Sequence, residues 1–467
     1  MKKVVLIFRE DQKDSVNYRN AESLGKSWGE IFFYFEVNES KSEIVSEHYH
    51  RVIQNESEEK LISYLDAIHD NNVLLLPLIF KDKIEEYIAL NQYSNSQGNK
   101  WEVVYNNFTR YLFLDAHRDL SLNLPQDTRI WVKDLIDKYG KNIILDYLNK
   151  LDNIVGLIGE SIIDEYYYCS ALGKVSKDPL IAFNLDESVK QLGGILAAAN
   201  HVQEISGKAY LLSEINDESY QFVYNRLSSL IDANLIVEKF TSQVTKTRFI
   251  DRASNTKVFE TYLMNEIRTS ENAFSNALTN LIRDKRVNNL IIIDFGHGLL
   301  SLENIELLIN SNISISVNAQ VNAGNQGFNS ISKYKGAERI FINGSELEFE
   351  ARRKIKNHSE LISEIAPLLS CKELYVTQGS AGILSWNQEQ KVFSIPGFAP
   401  AIVDRVGAGD ALLSTISILR ANDVPVDISC FYGNIAGAIM VGSVGNSTTI
   451  SNSSLKANAN SIISSLM

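Results

Sequence analysis

The chain has 467 residues, and its 45 lysines and arginines against 57 acids leave a net charge of −12. That length suggests two or three domains and a large core. So acidic a surface is a poor general partner for nucleic acid or an anionic membrane, and any phosphate must be gripped by a local cluster of residues.

Residues 1–9 carry too short an apolar run for a signal peptide and read as a first β-strand, centred on 4–8. No stretch reaches the roughly eighteen apolar residues of a membrane span, so a soluble, cytoplasmic protein is expected. Further strands are expected at 31–35, 73–76 and 111–114, and helices near 57–70 and 81–91, so that residues 1–138 form a separate α/β unit. His48 and His50 lack a third ligand nearby and read as a surface pair. The charged stretch 131–151 reads as helical, with 139–152 a connector. From residue 153 to the end, short β-branched runs (154–158, 290–294, 313–317, 339–342, 374–377) alternate with helical patterns. Such runs describe a parallel sheet covered on both faces, whose ligands sit beyond its carboxyl edge. The stretches 245–250 and 257–262 alternate instead, as half-exposed strands of a small sheet or lid do. Cys169, Cys371 and Cys430 are too scattered for a disulfide framework and read as buried thiols.

Six segments carry candidate chemistry, five of them with a plainer alternative. Asp164 ends an apolar run, where it either accepts hydrogen bonds from sugar hydroxyls or serves as a cap or surface acid. Gly193-Gly194 permits close backbone approach ahead of an alanine-rich helix bearing Asn200, a residue suited to a diol. Lys246 and Arg248 alternate on a strand and so share a face, which either grips a phosphate or meets solvent. In Asn343-Gly344-Ser345-Glu346, the residues Asn343 and Glu346 suit water around Mg²⁺, while Ser345 with Glu348 fits a helix capping box. Thr377-Gln378-Gly379-Ser380-Ala381-Gly382 either lies along a nucleotide or makes a hairpin turn. Last comes Asp404-Arg405-Val406-Gly407-Ala408-Gly409-Asp410, a glycine turn opening an apolar helix. Its first amides and the helix dipole suit a phosphate, and Asp410 is placed to take a proton from an attacking hydroxyl. The alternative is a βα turn in which Asp404 or Asp410 only caps the helix.

The order and spacing of these segments resemble the ribokinase-like (PfkB-type) carbohydrate kinases over about 153–467. Asp294-Phe295-Gly296-His297-Gly298, the T-K-x-R strand and the stretch from Gly159 into Gly173-Lys174-Val175-Ser176-Lys177-Asp178-Pro179 are most similar to heptose-phosphate kinases, including the kinase half of ADP-heptose synthases. The resemblance implies a three-layer α/β ribokinase-like fold with a small β lid, beside the separate N-terminal α/β domain. It implies ATP- and Mg²⁺-dependent phosphorylation of a sugar or sugar phosphate by a cytoplasmic homodimer, with neither nucleic acid nor membrane as partner. By the same resemblance Asp410 is the base, and Gly407, Ala408 and Gly409 form the anion hole. Asp164, Gly193, Gly194, Asn200, Lys246, Arg248 and Asp404 hold the substrate. Asn343 and Glu346 serve Mg²⁺ through water, and Thr377, Gly379, Gly382 and Asn434 lie near ATP.

Three departures stand out. Arg405 replaces a frequent threonine, His297 an expected lysine, and the interval from Gly-Gly to Asn200 is long. The polar run 318–325 is expected to line the sugar or nucleotide site. Some relatives are fused to a nucleotidyltransferase with an H-x-G-H signature, which residues 1–150 lack. The N-terminal unit is thus a degenerate copy of such a domain or something unrelated. Two alternative functions follow: a catalytically weakened regulatory protein that binds sugar or nucleotide, and a bifunctional kinase and nucleotidyltransferase.

Overall fold

A run such as Leu290-Ile291-Ile292-Ile293 is apolar on both faces, so as a strand it must be covered on both sides. In the computed structural model it lies at the centre of a nine-stranded sheet. The structure describes four short strands between residues 3 and 77, and residues 120–467 except 121–123, 208, 228–233, 239–243, 255, 265–270, 285, 326, 390 and 400–401.

The chain divides into two units, Met1–Arg118 and Asp119–Met467. In the first, β1 (Lys3–Phe8), β2 (Ile31–Glu36), β3 (Ile53–Gln54) and β4 (Val73–Pro77) form a parallel sheet of order β3-β2-β1-β4. The expected strand at 111–114, the helices at 57–70 and 81–91, and the His48–His50 pair lie outside the described residues.

The second unit opens with α1 (Gln126–Tyr139) and α2 (Lys141–Asp146), separated by Gly140 at φ +79°. Here the expected boundary at 138 and the connector at 139–152 need correction. Thr128 Oγ1 donates to Gly397 O at 2.9 Å, and Trp131 meets Phe398 edge-on at 6.4 Å. Tyr139 and Lys138 both reach Asp427, at 3.0 and 2.7 Å. Polar contacts at both ends of α1, with Val132 and Leu135 buried between them, dock it on the second unit.

There follow β5 (Val155–Gly159), β6 (Ser161–Lys174), β7 (Ile181–Gly194), α3 (Ile195–Ser206), β8 (Ala209–Asn216), α4 (Asp217–Leu227), β9 (Asn234–Glu238), β10 (Val244–Asp251), β11 (Thr256–Leu263), α5 (Glu271–Arg283) and β12 (Asn289–Asp294). The remainder is α6 (Leu302–Ile309), β13 (Ser314–Ala319), β14 (Arg339–Asn343), α7 (Gly344–Glu350), α8 (His358–Leu369), β15 (Glu373–Thr377), β16 (Ile383–Asn387), β17 (Lys391–Ile395), α9 (Ala408–Ala421), α10 (Val426–Val441) and α11 (Asn452–Ser464). The main sheet runs β17-β16-β15-β14-β13-β12-β5-β8-β9, parallel except for the β15–β16–β17 hairpins.

Alternate residues of β12 feed two cores, as a period of two requires. Ile291 and Ile293 pack with α3, α9, α10 and α11, whereas Leu290 and Ile292 pack with α5, α6 and α8. The lid is a second sheet of order β11-β10-β6-β7. The β10–β11 pair matches the alternating stretches read from sequence. The long β6–β7 hairpin completes the lid, its inner end buried and its outer end exposed.

Candidate active site

The start of α9 is shaped by Gly407, whose φ of +79° suits glycine. A Cβ at this position would also collide with Asn446 Oδ1. No side chain caps the helix, and its first internal bond runs from Ala411 N to Gly407 O at 3.0 Å. The amides of Ala408, Gly409 and Asp410 therefore point out of the helix end as an anion site. The capping alternative fails here. Asp404 instead accepts from Gly445 N at 3.0 Å, Val406 N at 3.3 Å and Lys257 Nζ at 2.7 Å. Burial works against its charge, but Lys257 and the two amides outweigh burial and bring its pKa down.

In front of this turn lies a cavity of about 650 Å³, walled by the lid and by the loop after β12. Asp410 lines it. Burial pushes its pKa up to about 7, against the pull of Lys246 and with the help of Asp164 and Glu346. A carboxylate near neutrality is a capable proton acceptor.

Asp164, Gly194, Lys246, Arg248, Asp404, Gly407 and Gly409 share the same cavity. Gly193 makes room for Asp164, since a Cβ there would strike its carboxylate. Arg248 is not free for a ligand: it donates to Asp164 at 2.6 Å and to Tyr166 OH at 3.3 Å, and it lies 3.4 Å from Glu260. Lys246 has no carboxylate within ion-pair distance among the described residues. Its ammonium sits 4.6 Å from the centre of the Phe295 ring, and burial brings its pKa down.

Asn200 is not in the cavity; its amide donates to Thr449 Oγ1 at 2.7 Å and ties α3 to the loop before α11. The asparagine that does line the cavity is Asn446, missed in the sequence, which donates to Asp164 at 3.2 Å and to Leu192 O at 2.9 Å. Lys257 was also missed, because its strand reads only as half-exposed. Glu160 was a third omission. Its carboxylate accepts from the amides of Phe295 and His297, at 2.9 and 3.1 Å, and so shapes the loop after β12.

The capping box of α7 is Asn343 with Glu346, not Ser345 with Glu348. Asn343 Oδ1 accepts from Glu346 N at 2.9 Å, while the Glu346 carboxylate accepts from the amides of Asn343 and Val321 at 2.8 and 3.1 Å. Burial pushes the Glu346 pKa up. Each of its oxygens keeps lone pairs for water, and no group of three metal-binding side chains occurs among the described residues. This donor set fits a water-rich Mg²⁺ rather than a caged ion.

Residues 379–382 do turn the β15–β16 hairpin, and Gly382, at φ +92°, lets the chain pass the backbone of Ile395. Thr377 ends β15, and Asn434 donates to Pro396 O at 3.1 Å. A second cavity of about 540 Å³ lies between Ser380, Ala381 and Gly397 on one side and Thr128 and Trp131 on the other. The polar run 318–325 mostly clamps the loop after β12. Asn322 and Asn325 both donate to Phe295 O, at 2.9 and 3.0 Å, and only Gln320 of that run reaches the larger cavity. Arg405 is exposed and lines the cavity.

Residues 295–453 match the pfkB family of carbohydrate kinases. The bifunctional protein HldE of Aliarcobacter butzleri is 27% identical over 312 residues, covering 65% of this chain and 63% of that protein. An uncharacterized sugar kinase of Buchnera aphidicola is 23% identical, over 64% of this chain and 95% of its own length. The chain spans 60–64% of the length of the HldE proteins it matches. Among solved structures, phosphofructokinase-2 of Escherichia coli superposes with a TM-score of 0.54 at 15% identity, over 66% of this chain and 99% of that one. Ribokinase of Thermotoga maritima does so with a TM-score of 0.53 at 16% identity, over 66% of this chain and all of its own length. No described helix is long and apolar enough to cross a membrane. The uncapped glycine turn, the lid and these likenesses agree: the chain carries a pfkB-family carbohydrate kinase domain on a ribokinase-like fold.

Proposed function

We propose that this chain transfers the terminal phosphoryl group of ATP to a hydroxyl of a sugar phosphate, with a heptose phosphate the favoured acceptor. The observation that carries this reading is Asp410, a carboxylate with its pKa pushed up to about 7, at the foot of an uncapped helix N-terminus. Asp410 removes the proton of the acceptor hydroxyl as the oxygen attacks phosphorus. The amides of Ala408, Gly409 and Asp410 receive the charge that builds on the transferred group. Asp164, held by Arg248 and Asn446, offers its remaining lone pairs to sugar hydroxyls. Mg²⁺ arriving with the nucleotide supplies charge neutralisation, and Glu346 is the side chain that would hold its water shell. The smaller cavity beside Ser380 and Ala381 is lined by Asp127, Asp134 and Trp131 and, among the described residues, by no cation, which suits a base and ribose better than a phosphate.

The heptose preference rests on the T-K-x-R strand and the loop after β12. A second reading, a bifunctional enzyme, is favoured by the parallel order β3-β2-β1-β4 of the first unit, since sheets of that order commonly hold nucleotides. The kinase reading is tested by supplying purified full-length protein with ATP, Mg²⁺ and a panel of heptose and hexose phosphates. ADP release that depends on one acceptor supports it; absence of transfer to every acceptor overturns it.

A further inference from the structure

The larger cavity gathers four cations, Lys246, Arg248, Lys257 and Arg405, and they are not equivalent. Two are already neutralised at contact distance: Arg248 by Asp164 at 2.6 Å and Lys257 by Asp404 at 2.7 Å. Neither Lys246 nor Arg405 has a carboxylate within ion-pair distance among the described residues. Of the acids lining the cavity, Asp410 alone is left without such a partner. The lining therefore holds four cations against three acids, two of the cations without an ion-pair partner, inside a protein of net charge −12. A neutral sugar gives that charge nothing to meet, whereas a phosphate dianion does.

We propose that Arg405, together with Lys246, binds a phosphate group already carried by the acceptor sugar, and so selects sugar phosphates over free sugars. This rests on the kinase reading above and assigns the specificity of the same cavity. The backbone on either side of Arg405 is fixed, because Asp404 holds Val406 N, Gly445 N and Lys257. The Arg405 side chain thus leaves the backbone at a set position among the residues that line the cavity. Its planar fork matches a phosphate with two parallel hydrogen bonds. Lys246 reaches the same space from β10, its ammonium partly stripped of water over Phe295. The donor's transferred phosphoryl has its own receptor in the amides that open α9, which leaves the two side chains for a different anion.

The test compares full-length wild type with Arg405→Leu, Arg405→Lys and Lys246→Met. Kinetics and binding are both read: KM and kcat for ATP, a heptose or hexose phosphate and the matching free sugar, and calorimetric binding of both acceptors without nucleotide. Arg405→Leu should weaken the sugar phosphate about 10- to 100-fold, the range of a lost charge-assisted contact, with the free sugar and ATP changed less than about threefold. Arg405→Lys should recover part of the loss, since it keeps the charge but not the fork. Equal losses for both acceptors would mean that Arg405 merely supports the turn. A loss confined to ATP would assign the side chain to the donor's phosphate. Either outcome overturns the proposal. If wild type binds sugar phosphates but transfers nothing, the kinase reading falls while the calorimetric comparison still decides this one. If wild type binds sugar and sugar phosphate alike yet phosphorylates both, this inference falls and the kinase reading stands.

Discussion

At the amino edge of the main sheet, Arg420 in the last turn of α9 donates to both oxygens of Glu373, at 2.6 and 3.2 Å. Tyr375 OH adds a third donor at 2.5 Å, and Arg339 lies 3.5 Å away. At the carboxyl edge, about 15 Å along the same helix, Asp410, Lys246 and Arg405 line a cavity without ion-pair partners of their own among the described residues, beside the Arg248–Asp164 and Lys257–Asp404 pairs. Side chains of the same kinds therefore serve opposite ends. Charges buried together and paired fix the helix on the sheet; charges left unpaired at the other end are available to a ligand. The difference lies in what surrounds them, because burial without a partner is tolerated where a substrate supplies one.

The comparison is broken most directly at Asp410. Asp410→Asn should lower turnover about 10²–10⁴-fold with ATP binding kept, as kinetics and calorimetry would show. It should also stabilise the protein. The pKa of Asp410 is raised on folding from an ordinary carboxylate value, so the folded state holds the proton more tightly, and its stability falls as pH rises from about 4 to about 7. Above pH 7 the variant is free of that penalty, and its Tm at pH 8 should exceed that of wild type by ~2–4 °C. A variant that is inactive and also less stable would place Asp410 with the structural charges. The rate should likewise rise with pH through about 7, and a flat profile would count against Asp410 as the base.

Glu373→Ala makes the opposite cut. It strands Arg420 without its acid, leaves Arg339 with Glu338 alone at 3.3 Å, and should destabilise by about 3–5 kcal/mol in urea melts. Turnover per folded molecule should remain near wild type. A large loss of kcat in the folded fraction would show that the two edges are not separable.

Truncation sharpens the picture at the level of the unit. A chain starting at residue 119 retains α1 and should transfer phosphate at a rate close to that of the full chain. One starting at 144 loses the contacts of Thr128, Trp131 and Tyr139, and its Tm should fall by ~4 °C or more relative to the longer piece. Equal melting temperatures would return α1 to the status of a tether.

Lys257→Met should have the smallest effect. Its ammonium is partly exposed, so the pair with Asp404 contributes ~1 kcal/mol or less, and KM for the acceptor should change about fivefold at most. A much larger change would move Lys257 from the paired charges to those that meet substrate.

What the sequence revealed follows from distance along the chain. The strands, the glycine turn and the Asn343–Glu346 segment are local patterns, visible within a few residues. The partners that define the site are not local. Asp164 meets Arg248 across 84 positions and Asn446 across 282, and Lys257 meets Asp404 across 147. Periodicity can place Arg248 on a face of β10 but cannot say that a carboxylate on β6 already occupies it. For the same reason α1 reads as a charged tether: its buried face is only Thr128, Val132 and Leu135, too narrow a stripe to announce a docked helix.

Glu160 is the single residue between β5 in the main sheet and β6 in the lid. Its backbone is therefore the joint about which the inner lid strand meets the core, while its carboxylate grips the amides of Phe295 and His297. The Phe295 ring beneath Lys246 stands on that loop, so the inner lid strand and the floor of the acceptor site are tied through one residue.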